Sequence, residues 1–62
     1  MAAQPGPTQN NNLVILVEKD GIDQLETMLA PSEMTFLRQS ALRDIVTFFF
    51  PRMEGGVFIR LL

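Results

Sequence analysis

Residues 32–51 read SEMTFLRQSALRDIVTFFFP, and the reading of this stretch decides the fold expected for the chain. Met34, Leu37, Ala41, Leu42, Ile45, Phe48 and Phe49 recur at spacings of three and four, the mark of one apolar face of an α-helix. Thr35, Arg38, Gln39, Arg43, Asp44 and Thr47 take the positions between them. Ser32 is suited to cap such a helix, Glu33 sits in its first turn, and Pro51 stops it. The pattern therefore predicts one long helix over about 32–50. Phe36, Val46 and Phe50 fall off the main stripe and form a second apolar flank, which calls for a second packing partner.

Upstream, Ile22, Leu25, Met28 and Leu29 lie on one face of a shorter helix over about 21–29. Asp20 can cap it, Asp23 favours its positive end, and Pro31 pushes the preceding residue out of the helical region. The two segments predict a mainly α fold, a helical hairpin. Its expected core is Leu25, Met28, Leu29, Met34, Leu37, Leu42, Ile45 and Phe49.

Short extended segments flank the hairpin. Leu13-Val14-Ile15-Leu16-Val17 is a continuous, β-branched apolar run suited to a strand buried on both faces. Residues 52–56 (RMEGG) read as a turn, and 57–61 as a second extended segment. The alternative architecture is α+β, with these strands paired within a chain or across a dimer. Before them, residues 1–12, with Pro5, Gly6, Pro7 and three successive asparagines, read as a flexible polar tail. Residues 13–62 then form a single small module. Its bare Leu61-Leu62 end fits either burial in an interface or a cut from a longer chain.

Size bears on function. A chain of 62 residues buries only about 60% of the surface exposed when unfolded, and such chains lean on disulfides, metals or association. With no cysteine and no histidine, the disulfide and the commonest metal ligands are missing, and so are the familiar nucleophile–base pairs. Ser32 and Ser40 have only Lys19 as an amine base, at no suggestive spacing. Asp20 and Asp23 resemble the start of a calcium loop, but Pro31 stands where the closing acid belongs. Gly55-Gly56 lacks the lysine of a phosphate loop. The chain is expected to be no enzyme, with no catalytic, metal or cofactor site and no small-molecule substrate.

Association remains. Just over half of residues 13–62 are apolar, more than so small a body can hide, so part of that surface is expected to face another molecule. The expected interface is Phe36, Val46, Phe50, Phe58 and Leu62, in a self-associating module (homo-oligomer) or an accessory subunit of a larger complex. Five acids from Glu18 to Glu33 face four arginines from Arg38 to Arg60, favouring packing of one half on the other, within or between copies. The net charge of −2 argues against nucleic acid. The absence of a long apolar run or lysine-rich face makes membrane binding a remote alternative. A cytoplasmic or other intracellular aqueous compartment is the default. Ser32 to Arg38 is slightly similar to the second helix of the N-terminal dimerisation domain of heat-shock co-chaperones, a likeness of seven residues on which no family is assigned.

Overall fold

The structure is a computed structural model, and it describes residues 11–62. Strand β1 (Asn11–Val17) leads into a 3₁₀ helix (Lys19–Thr27), helix α1 (Pro31–Ala41), strand β2 (Thr47–Arg52) and strand β3 (Gly55–Leu61). The three strands form one mixed sheet in the order β1-β3-β2, with β3 parallel to β1 and antiparallel to β2. The fold is therefore α+β, and the mainly α helical hairpin expected over 21–29 and 32–50 is corrected. Of the expected polar tail, residues 1–10 lie outside the described residues, while Asn11 and Asn12 open β1.

The expected long helix breaks at one boundary. Helix α1 begins one residue before the expected Ser32 cap: Pro31 occupies its first turn, Ala30 is the capping residue, and the Glu33 carboxylate accepts from the Ala30 amide at 3.0 Å. It ends at Ala41 by a Schellman closure. The Ile45 amide donates to the Ser40 carbonyl (3.2 Å) and the Asp44 amide to the Ala41 carbonyl (3.1 Å), with Asp44 left-handed at φ 65°. Aspartate is one of the few residues that takes this conformation at little cost, yet it carries none of the stop signal of a glycine. Beyond it, the β-branched run Ile45-Val46-Thr47 and the following phenylalanines enter a strand, the state that suits such residues.

Three expected core residues move out as a result. Leu42 lies in the turn and is 87% exposed, while Ile45 and Phe49 are exposed as well. In a strand the side-chain period is two, so Phe48 and Phe50 turn inward and Phe49 turns outward. Met28 is exposed for a different reason: the 3₁₀ helix stops at Thr27, and the chain turns so that Leu29 enters the core instead. Leu25, Met34 and Leu37 are buried, with Leu37 fully so.

The core lies between the sheet and the two helices. Val57, Ile59 and Leu61 of β3 and Phe48 and Phe50 of β2 meet Ile22, Leu25 and Leu29 on one side and Met34 and Leu37 on the other. Ile15 and Val17 of β1 are only half-buried at its rim. The run 13–17 is thus not a strand buried on both faces: Val14 and Leu16 stand in the open. Phe36, at the outer side of α1, sets its edge against Phe48 and Phe50, at centroid distances of 6.3 and 6.2 Å and near-perpendicular planes.

A candidate protein interface on the open side of the sheet

The helices cover one face of the sheet. Strand parity decides what the other face carries: Asn12, Val14 and Leu16 from β1, Gly56, Phe58 and Arg60 from β3, and Thr47, Phe49 and Pro51 from β2. Val14 (68% exposed), Leu16 (64%), Phe49 (48%) and Phe58 (42%) lie side by side across the three strands, following the registers Val14↔Phe58, Leu16↔Arg60 and Phe49↔Phe58. Among the described residues of these strands, Arg60 is the one charged residue on this face, and it stands at the end of the patch.

The patch is held in shape. The Phe49 and Phe58 rings pack at a centroid distance of 4.5 Å with planes tilted by 40°. The Phe49 ring also lies over Gly56, where any Cβ would collide with the ring carbons and crowd the Phe50 carbonyl. Glycine at 56 therefore lets an aromatic side chain lie flat on the sheet, and the result is an even apolar surface.

Charge collects on the opposite side of the molecule. Arg38 of α1 bonds both Asp23 and Glu26 of the 3₁₀ helix, the second at 3.1 Å, and Lys19 approaches Asp44 at 3.8 Å. The acidic and basic halves of the sequence thus meet within the chain. Arg52 makes the most specific contact: its two terminal nitrogens take the Glu33 carboxylate in a fork at 2.8 and 2.9 Å, and one also donates to the Met28 carbonyl at 3.1 Å. One side chain so ties the end of β2 to the start of α1 and to the connection before it. The Arg52 fork and the Ala30 amide hold the Glu33 carboxyl below the usual glutamate range, and Glu33 raises the Arg52 guanidinium above its ordinary value.

The expected interface residues are scattered by this fold. Phe58 belongs to the open face. Phe50 is buried, Val46 is half-buried against the core, and Phe36 and Leu62 are exposed elsewhere. Val14, Leu16 and Phe49, missed as surface residues, make up most of the patch. No pattern in the sequence separates them, because a continuous apolar run reads alike for a covered strand and an open one.

Ser40 is buried, Lys19 is turned to Asp44, and among the described residues no group of three acidic, histidine or cysteine side chains could hold a metal ion. The shallow depression bordered by Lys19, Asp20, Asp23, Arg38 and Asp44 pairs Lys19 with Asp44 and Arg38 with Asp23. Among the described residues no helix is long and apolar enough to cross a membrane. Comparison with protein-family models, with curated proteins and with solved structures gives no match.

Proposed function

We propose that this chain is a non-enzymatic protein–protein interaction module that associates with a second copy of itself on the side of the sheet away from the helices. The supporting observation is the open face: Val14, Leu16, Phe49 and Phe58 stand together, 42–68% exposed. A helix layer already covers the inner face, and Phe49 and Phe58, though packed on each other, still leave nearly half of their surface in the open. Burying them against a like surface would add the apolar area that a chain of this size lacks. This face takes the place of a contact on a helix over 32–50, since 47–52 is a strand.

The test is the solution mass of the full chain by light scattering over about a hundredfold range of concentration. A discrete oligomer that dissociates on dilution supports the reading. A monomer throughout the range overturns it. An ill-defined aggregate that becomes monodisperse only with a different chain overturns self-association, and assigns the face to that chain.

A further inference from the structure

The free edge of β1 points to how two copies meet. Alternate residues along a strand turn their amide groups to opposite sides. The Leu62 amide donates to the Val17 carbonyl at 2.9 Å, so Val17, and with it Ile15 and Leu13, turn their backbone groups toward β3. Asn12, Val14 and Leu16 therefore turn theirs away from the sheet. Among the described residues no strand pairs with this edge.

An unpaired strand edge is an adhesive surface unless it is short, charged, bulged or interrupted by proline. Strand β1 runs for seven residues, NNLVILV, with no charge, no proline and no glycine. The opposite edge of the sheet differs. The Leu61 amide donates to the Val46 carbonyl, so Thr47, Phe49 and Pro51 of β2 face outward, and Pro51 has no N–H to offer. One edge of this sheet is guarded and the other is complete.

We infer that β1 pairs with β1 of a second copy, antiparallel and across a two-fold axis at Val14, joining two three-stranded sheets into one. This inference shares with the proposed function its occupant, a second copy of the chain, and rests on that reading. It places the contact at the edge of the sheet and leaves the open face free to meet a like surface. The Val14-centred register apposes Val14 with its own mate and Asn12 with Leu16 of the other copy. It uses every outward-facing residue of the strand, each apposed pair exchanging two hydrogen bonds. The neighbouring non-bonded pairs bring Leu13 against Ile15 of the other copy, on the helix-covered face. Leu13 is 46% exposed and Ile15 half-buried in the single chain, so the core rim closes where it now ends. The strand's neutrality is what self-pairing requires, because a charge near the axis would meet its own mate. The open faces of the two sheets become continuous, with Val14 and Leu16 of both copies at the centre.

The experiment compares the full wild-type chain with Val14→Pro and Val14→Thr. Proline at 14 removes an N–H that makes no bond within the sheet, and the two-fold axis loses both central bonds at once. Dimer affinity should fall by roughly thirtyfold or more, taking each bond at its typical net value. Val14→Thr, which keeps the amide, should stay within a few-fold of wild type. Amide exchange gives a second readout that needs no variant: Asn12, Val14 and Leu16 should exchange rapidly in dilute chain and slowly in the associated state. An oligomer whose mass survives Val14→Pro, or whose three amides stay unprotected, overturns edge pairing and leaves association through the open face standing. A wild-type chain that is monomeric at every concentration overturns both. If Val14→Pro fails to fold, the exchange pattern of the wild type decides.

Discussion

Replacing Gly56 by alanine adds one methyl group, and the structure gives it no room. Its position falls within the Phe49 ring and close to the Phe50 carbonyl, so either the ring swings away or the hairpin shifts. Phe49 is 48% exposed, so it buries about half of a phenylalanine surface, roughly 100 Å², and full displacement would lose about 2.5 kcal/mol. A partial shift costs less, and overpacked sites lose about 1–3 kcal/mol in general. We expect Gly56→Ala to cost about 2 kcal/mol, which lowers the melting temperature of a domain this small by roughly 8–16 °C. Thermal unfolding followed by circular dichroism measures it, at a concentration where association is held constant. A double-mutant cycle with Phe49→Ala isolates the cause. Once the ring is gone, the added methyl loses its two closest clashes and keeps the one with the Phe50 carbonyl, so the two changes together should cost less than their sum by about 1 kcal/mol or more. Additive costs would show that the Phe49 ring does not rest on Gly56, and the account of how the apolar face is kept flat would fail.

Two further outcomes follow from the fold. Leu37→Ala, at a fully buried position, should cost about 2–5 kcal/mol and leave a domain this small largely unfolded at room temperature, whereas Leu42→Ala, five residues on, should stay within about 0.5 kcal/mol of wild type. Equal costs at the two sites in a denaturant titration would restore the long helix. Glu33 links stability to pH: its folded carboxyl titrates below the usual value of about 4.3, so its contribution is complete above that value and is lost as pH falls through the lower, folded one. Glu33→Gln should therefore flatten the acid side of the melting-temperature profile below about pH 5, and a profile as steep as wild type would mean that the Arg52 fork does not form in solution.

Much of the chain was legible residue by residue. The extended character of 13–17 and 57–61 follows from their β-branched and aromatic content, while the turn expected over 52–56 is narrower, Met53-Glu54, because Arg52 pairs with Gly55 and Pro51 with Gly56 in the hairpin. Met34 and Leu37 follow from helical spacing, because within 31–41 the helix is real, whereas Leu25 is buried from a 3₁₀ helix and Leu29 from the bend after it. The lack of histidine and cysteine removes whole classes of chemistry without reference to any fold.

Residues 42–50 were not legible. Ile45, Phe48 and Phe49 continue the three-and-four spacing of α1, and the same residues also satisfy a strand. Local propensity weighs these states within about 1 kcal/mol per residue, so tertiary context decides. Here the deciding contact is β3, whose Val57, Ile59 and Leu61 give 47–52 a hairpin partner and let Phe48 and Phe50 bury without a helix.

Composition and order of residues show a small body without cysteine or histidine and a division of the charges into an acidic and a basic half. Which apolar residues stay outside is settled by tertiary contacts. Exposure of Val14, Leu16, Phe49 and Phe58 depends on which face of the sheet the helices cover, and the free edge of β1 depends on β3 lying between it and β2. Both are properties of strand order, set by contacts between residues more than forty positions apart, such as Val14 with Phe58, which no local pattern encodes.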